Sequence, residues 1–528
     1  MRTNSATERR RLIPRTLIAL WVLVVGFLIA LRFVLDTGDV GLANVATRAL
    51  LLLTAIISLI WFLVRGPLPL RRRFGVLAVL LLGIAAFFGL FRYEGVRSEI
   101  IPIFSFRFGG EAPAMATVAT DARADLSATT AADFPQFLGS GRDLRVDGVA
   151  LARDWETQAP ELLWREGIGA GWSGLAVVNG YAATLEEREG TEMLTLYDIS
   201  DGTLVWNLEL GPGFDHPMGG AGPRSTPTIF DGIVYAAGVT GAVVAVNGAD
   251  GSVLWQRDLL QDYGISQDEE TLDVSYGRSA SPLIVGDAVV LPVGGSRRQR
   301  VSLAAYDRMT GDRLWEGGAH NVSMSSPALG TLLGRQQILI VNENWVSGHD
   351  AQSGEQLWEF EWPGITSADS SVSQAVALPP DRVFVSKGYG TGAALYRLEQ
   401  TGDTIEPRQL WQKPASLRTK LTNVVIRDGY VYGLSEGILE CVRLDTGERE
   451  WKAGRYHHGQ ILLVDDVLLV LTEDGELVMV EATPERRNSV LGRFQAIDGH
   501  TWNNFALYGD VLLARNGQEI AAWRLPLR

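Results

Sequence analysis

The chain has 528 residues, 47 of them basic and 61 acidic, and its charge is divided: residues 1–110 hold 14 Arg, no Lys and 5 acids, which leaves the remainder at −23. An acidic remainder of that size excludes nucleic acid as the partner, because phosphate binding needs concentrated positive charge. The single cysteine, Cys441, excludes an intrachain disulfide and a Cys/His zinc site; within an apolar run it reads as a small core residue.

A basic tail comes first, over 1–15, with Arg2, Arg9, Arg10, Arg11 and Arg15. Three apolar stretches follow: Thr16–Leu35, broken only by Arg32, then Ala49–Val64 and Phe74–Phe91, each with a core of 16–18 uncharged residues. Arg48 and Arg65 bracket the second and Arg73 and Arg92 the third, where they can snorkel to the interface, as can Arg32 near its helix end. A cleaved signal peptide does not fit, since no small-residue cleavage site is present and two further spans follow at once. The loop with Arg65 and Arg71 to Arg73 is basic like the tail, whereas the loop Asp36–Thr47 has two aspartates and no Arg or Lys. By the positive-inside rule the tail and the second loop are cytoplasmic and everything after the third span is outside. The expectation is a three-helix transmembrane anchor over 16–92 in the inner (cytoplasmic) membrane, multi-pass, with the rest in the periplasm. A linker over 93–133 is expected next; from Gly109 it is rich in Ala, Thr and Ser and reads as a tether.

From Phe134 the sequence repeats in units of about 40–60 residues, the range of propeller blades. An acid or amide is followed by Gly four residues on and Trp four later: Asp198-Gly202-Trp206, Asn247-Gly251-Trp255, Asp307-Gly311-Trp315 and Asp350-Gly354-Trp358. Gly447-Trp451 is a decayed copy with Arg443 in the acidic position, and Gly402 with Trp411 a looser one. The Asp or Asn can bond its own downstream backbone and the Gly accepts positive φ, so together they close a hairpin and place the Trp on the next strand, where it can fill the wedge between blades. Outer-strand positions are expected at Trp164, Trp206, Trp255, Trp315, Trp358, Trp411, Trp451 and Phe494, the tryptophans being the blade-docking set. The last unit has only three strands, and the unused strand Pro160–Trp164 would complete it, closing the ring. The fold expected over 134–528 is therefore an all-β propeller of eight blades, or seven if one weak unit is an insertion.

Aligned on the turn before the second strand of each unit, Ser173, Ser225, Ala280, Ser325, Thr422, Gly459 and Asn503 fall at one axial level, with Ser370 to Ser373 from the fifth unit. Trp172, Arg224, Ser279, Met324, Leu421, His458 and Trp502 precede them, with Arg278, Lys420, His457 and His500 nearby. The candidate ligand- or partner-binding mouth is thus Trp172, Ser173, Arg224, Ser225, Arg278, Ser279, Ser325, Lys420, Thr422, His458, Trp502 and Asn503, suited to an anionic, flat or peptide ligand with Arg224 and Lys420 as anchors. The competing reading is that small hydroxyl residues let eight strands crowd the axis while satisfying backbone groups. No metal site is expected: His457 and His458 are adjacent and point to opposite faces of a strand. His216, in a glycine-rich loop, reads as filler, although loops on rigid rings often carry function. No catalytic constellation stands out.

These repeats resemble the PQQ-enzyme repeat of the quinoprotein-type, BamB-like propellers. The resemblance runs over Phe134–Arg528 and includes the opening Phe134-Pro-Gln-Phe-Leu-Gly, Gly222-Pro-Arg-Ser-Thr-Pro227, Gly277-Arg-Ser-Ala-Ser-Pro282 and Ser386–Gly392. It implies fold more than function. One implied function is a PQQ-dependent dehydrogenase oxidising an alcohol or sugar, with calcium-bound PQQ above the axis and electrons passed to membrane quinone. Against it stand the compact units, the absence of a vicinal cysteine pair, and no cluster of acids at the ring to supply the six or more oxygens calcium takes. The other is a non-catalytic, cofactor-free binding or assembly scaffold of the envelope, recognising an envelope protein or glycan. The scaffold is the favoured expectation; ligand sensing through the helices is a third.

Overall fold

The computed structural model describes residues 14–35, 38–109, 114–118, 123–364 and 370–528. Arg2, Arg9, Arg10, Arg11 and Asp36 lie outside the described residues, as does part of the expected tether. The chain divides into two compact units, 1–111 and 112–528.

Among the described residues the first unit has three helices, α1 (Arg15–Phe33), α2 (Val40–Arg65) and α3 (Leu70–Leu90), each long and apolar enough to cross a membrane. Asp39 starts α2 by accepting from the Gly41 amide at 2.5 Å, so this helix begins well before its uncharged core. Arg73 turns back to the last carbonyls of α2, donating through Nη1 to Leu63 and Val64, both at 3.0 Å, and to the loop after it through Nε to Leu68 at 2.7 Å. A cation at this end satisfies orphan acceptors and suits the helix dipole. Arg32 donates to the Asn44 side chain and, at 3.4 Å, to Thr47 Oγ1, so it is held by α2. A two-stranded hairpin, Phe91–Val96 with Pro102–Phe106, follows α3.

The second unit is an eight-bladed propeller. Seven blades are consecutive antiparallel sheets, 176–212, 228–258, 283–317, 328–361, 376–413, 425–455 and 460–495, here blades 1 to 7. Blade 8 joins 506–524 to Glu161–Gly167 as its outermost strand, with Trp164 opposite Ala522. The ring is thus closed by pairing the two ends of the domain within one blade.

Every blade carries a β-bulge between its third and fourth strands, and in seven of the eight it lies beside the outer-strand tryptophan. The extra residue bends the strand and re-aims the side chain toward the next blade. Trp164 donates to Ile199 O at 2.7 Å, Trp206 to Gly248 O at 2.9 Å, Trp255 to Arg308 O at 2.9 Å, Trp411 to Leu444 O at 2.9 Å and Trp451 to Thr483 O at 3.1 Å. The indoles of Trp164, Trp206, Trp255, Trp315 and Trp411 each lie against the glycine of the following turn, Gly202, Gly251, Gly311, Gly354 and Gly447. A Cβ on Gly202 would stand 2.7 Å from Trp164, and one on Gly354 would stand 2.2 Å from Trp315. These glycines therefore serve twice, supplying positive φ (+80° at Gly202, +75° at Gly354) and a face on which the preceding blade rests.

Two positions depart from this pattern. Trp358 shares its motif but donates to Gln337 Oε1 of its own blade at 2.7 Å, over Gly348, the residue opposite it. The next blade offers no tight turn there, since Gly402 tops a long hairpin with open space around it. In blade 7 the position beside the bulge is Gly492, not Phe494, and Trp155, from the segment before the first blade, fills the gap. Phe494 sits beside it, edge-on to Trp155 at 5.5 Å and to Trp523 at 4.7 Å.

Among the described residues of the expected tether, 123–133 pack against the propeller. Leu126 is buried in the cluster between blades 1 and 2, the Ala124 amide donates to Ala249 O at 3.1 Å, and the side chain of Asn179 donates to Asp125 O at 3.0 Å. A few apolar side chains at the right spacing suffice to lay a polar segment along a sheet.

Candidate functional site

The inner strands of the blades are tied to one another by a continuous belt of hydrogen bonds around the axis. The Gly174 amide donates to Thr226 Oγ1 at 3.1 Å, Thr226 N to Ser281 Oγ at 3.0 Å, and Ser281 N to Ser326 Oγ at 2.9 Å. Ser325 Oγ donates to Ser373 O at 3.3 Å, Gln374 N to Asn423 Oδ1 at 2.8 Å, and Gln460 Nε2 to Leu421 O at 2.9 Å and Trp502 O at 2.8 Å. Asn503 Nδ2 then donates to Ser173 O at 2.8 Å and closes the circle. Ser173, Ser325, Thr422 and Asn503 are buried within this belt, as is Ser225. The hydroxyls that join neighbouring blades are those of Thr226, Ser281, Ser326 and Ser325.

One end of the axis is closed by the segment that opens with Phe134. Phe134 exchanges backbone bonds with Val177 of blade 1 (2.8 and 2.7 Å), Pro135 O accepts from Ile229 of blade 2 at 2.8 Å, and Leu144 O from Leu463 of blade 7 at 2.9 Å. Arg142 enters furthest: it donates to Pro282 O at 2.8 Å and Ser281 O at 3.2 Å in blade 3, while its own carbonyl accepts from Gln374 of blade 5 at 2.6 Å. It is buried, and burial pushes its guanidinium down to about 9. Sequence reasoning missed Arg142, because its partners lie in blades far along the chain.

The opposite end is the mouth, and here the structure brings together only some of the candidates. Trp172 and Trp502 meet at 4.9 Å between ring centroids, and His500 lies 5.3 Å from the first and 4.4 Å from the second. Glu473, fully buried, braces the group: its Oε1 accepts from Trp502 Nε1 at 2.8 Å and pairs with His500 Nε2 at 3.1 Å. Trp172 Nε1 donates to Gly219 O at 2.7 Å. Both indole N–H groups are thus engaged within the protein, and what the tryptophans offer outward is aromatic face. Glu473 was also missed; an acid in the turn Thr472–Gly475 carries no signal until the neighbouring blade is in view.

Around the ring from this cluster, through blades 7, 6 and 5, His458, Glu436, Lys387 and Lys420 are buried, and Lys420 stacks on Tyr389 at 4.7 Å. Charges removed from water in this way must be compensated by one another and by the backbone. On the other side a cavity of about 550 Å³ opens beside Tyr276, Leu272, Met324 and Ser371, with Arg300 and Asp273 joined in its wall at 2.7 Å. That volume accommodates a side chain or a sugar ring.

Two of the candidate cations, the expected anchor Arg224 and its neighbour in the ring Arg278, are bonded within the fold. Arg224 points into its own loop, donating to Gly222 O at 2.6 Å, Gly219 O at 2.9 Å and Gly220 O at 3.0 Å, with its guanidinium over Phe214 at 5.1 Å. Arg278 forms a buried two-pronged pair with Glu270 of the short helix Gln267–Asp273, at 2.8 Å for both contacts, and Ser279 turns back to Gly277 O at 3.0 Å. Long arginine stems reach the backbone of adjacent loops before they reach solvent. His216 caps the loop turn, accepting at Nδ1 from the Gly219 amide at 3.0 Å, and lies 4.5 Å from the Tyr276 ring. Cys441 is buried opposite Trp451, with burial pushing its thiol up to about 12. Among the described residues no group of three or more His, Cys, Asp or Glu is placed to hold a metal ion.

Residues 156–318 and, overlapping, 190–453 match the family model described as outer membrane protein assembly factor BamB, more than half of the chain. The BamB of Alteromonas naphthalenivorans is 24% identical over 325 residues, which are 59% of this chain and 70% of that protein. Among solved structures, BamB from Moraxella catarrhalis superposes with a TM-score of 0.51 at 15% identity, over 70% of this chain and all of that one. A europium-containing methanol dehydrogenase gives 0.57 at 9% identity, over 75% and 98%. A quinohemoprotein alcohol dehydrogenase from Pseudomonas putida gives 0.54 at 12%, over 77% and 83%. At such identities the structures share the fold alone. By the extent of the family match, the chain belongs to the BamB family of PQQ-like propellers.

Proposed function

We propose that this protein is a membrane-anchored, non-catalytic scaffold of the cell envelope, with its propeller in the periplasm and its mouth as the surface that takes hold of an envelope protein or glycan. One observation carries the reading: a rigid aromatic platform, Trp172 and Trp502 braced by Glu473, stands at the open end of an axis whose other end is filled by Arg142. Rigid aromatic faces with their polar atoms already satisfied are the anchors that protein and sugar ligands favour, because little side-chain entropy is lost on binding. The arginine balance of the tail and the two short loops supports a cytoplasmic N-terminus and an outward propeller in the inner membrane.

A calcium-bound quinone, as in a dehydrogenase passing electrons to membrane quinone, fits this mouth poorly. Calcium takes six to eight oxygen ligands. The Glu473 oxygens are committed to Trp502, His500 and the His458 amide, and the nearby acid Glu436 is buried. The mouth supplies aromatic faces and bonded cations rather than converging carboxylates.

The test is a paired assay on the full-length protein in detergent. Loading with PQQ and calcium should give no dye reduction by alcohols or aldoses, and Trp172→Ala with Trp502→Ala should abolish capture of envelope components without lowering the melting temperature of the domain by more than a few degrees. Dye reduction, or capture unaffected by the double substitution, would overturn the proposal.

A further inference from the structure

The hairpin that follows α3 has two unlike faces. Cross-strand pairing sets Phe91 opposite Phe106 and Tyr93 opposite Phe104 on one side, while Arg92 stands opposite Ser105 on the other. The second side is polar and internally bonded: Arg92 Nε meets Glu94 Oε1 at 2.6 Å, and Ser105 Oγ donates to the same oxygen at 2.5 Å. On the first side the rings form a ladder that continues the helix. Phe87 of α3 lies 5.0 Å from both Phe91 and Phe104, Phe104 is 5.9 Å from Tyr93, and Phe91 is 5.8 Å from Phe106.

This ladder is uncovered: Phe88 is 54% exposed, Tyr93 49%, Phe106 50% and Phe108 72%. Its position is also fixed. The Arg107 amide donates to Leu90 O at 2.8 Å and its Nε to Phe88 O at 3.1 Å, so the returning strand is fastened to the last turn of α3. An isolated two-stranded hairpin is marginal in water, and a contiguous aromatic surface is costly there. Aromatic side chains at the end of a spanning helix, by contrast, sit where the headgroups begin.

We propose that the aromatic face of this hairpin rests in the headgroup region of the bilayer that α3 crosses, making a lipid surface its partner and holding the exit from the membrane flat against it. The hairpin then acts as an interfacial foot whose polar side faces water. The proposal rests on the reading of α3 as a membrane span, and the test separates the two.

Spin labels are placed one at a time on Phe106→Cys, Ser105→Cys and Leu80→Cys in the full-length protein, reconstituted in phosphatidylcholine–phosphatidylglycerol vesicles, with the unsubstituted protein as the control for the buried Cys441. Collision rates with oxygen, which concentrates in lipid, and with a water-soluble nickel chelate report depth. The expected result is oxygen-dominated relaxation at 80, an intermediate value a few ångströms below the phosphates at 106, and nickel-dominated relaxation at 105. Equal nickel access at 105 and 106 with a lipid signature retained at 80 would overturn the interfacial foot and leave the span standing. Nickel access at 80 as well would overturn both.

Discussion

The indole of Trp155 stands over Gly492, its ring atoms 2.9 Å from where a Cβ on that glycine would lie. One blade lacks its own docking tryptophan, and a residue from outside the repeats supplies the missing ring. Trp155→Ala should therefore cost as much as the loss of a docking tryptophan within a blade such as Trp206→Ala, about 3–5 kcal/mol. Denaturant unfolding followed by near-ultraviolet circular dichroism reads the comparison; a loss under 1 kcal/mol at Trp155 would show that the space collapses without it.

The glycine beneath each docking indole should be far less replaceable than a glycine that only supplies a turn. Gly180 and Gly202 have similar positive φ, +83° and +80°, but a Cβ on Gly180 meets nothing whereas one on Gly202 stands 2.7 Å from Trp164. Ala at either position strains the backbone by about 1 kcal/mol. Gly202→Ala should cost roughly 1–3 kcal/mol beyond Gly180→Ala, because the indole must shift from a packed wedge. Chemical denaturation of the two variants checks this, and equal losses would detach the glycine from blade docking.

Glu192, fully buried, accepts from the Val239 amide at 2.9 Å, and burial pushes its carboxyl up to about 7. Its pKa is raised on folding, so the folded state binds more protons between the unfolded value near 4.3 and about 7, and stability falls as pH rises through that window. Glu192→Gln should remove this fall and gain about 3–4 kcal/mol relative to the unsubstituted protein at pH 8, with little difference at pH 4. Melting temperatures measured across that range decide it; parallel curves would mean that Glu192 keeps an ordinary pKa.

Arg142 has carbonyl partners in blade 3 and a bond from blade 5, and burial depresses its pKa. Arg142→Ala would leave the Ser281 and Pro282 carbonyls without this donor and open a cavity on the axis, a loss of about 2–4 kcal/mol. Loosening should be local as well as global. Hydrogen exchange at Ile229 and Leu463, whose amides are held by the same closing segment, should speed up before exchange at the blade centres. Uniform exchange with unchanged stability would show the segment to be an ornament of the ring.

The architecture was legible because a blade announces itself locally. Asp198, Gly202 and Trp206 lie within nine residues, and so do their counterparts, so the turn, the bulge and the wedge all leave marks in one short window. Closure by Pro160–Trp164 followed from counting strands. The departures come from distance. Trp155 replaces a ring 337 residues further on, and Arg142 reaches blades 3 and 5, neither of which a repeat alignment can relate to the N-terminal segment. In the mouth, alignment placed Trp172 and Trp502 at one level, where they touch. It could not show that Arg224 and Arg278 fold back onto loop carbonyls and Glu270, or that Glu473 lies between Trp502 and His500, since side-chain direction is set by neighbours.

The proposed binding surface is the mouth, not the outer edge of the blades. A photoreactive benzoylphenylalanine placed in living cells at Met324, beside the mouth cavity, or at Leu254, on the exposed outer strand of blade 2, tests it directly. The account predicts a discrete crosslinked product from position 324, lost on adding Trp172→Ala with Trp502→Ala, and none from position 254. A product from 254 alone, or one from 324 that survives the double substitution, would contradict it.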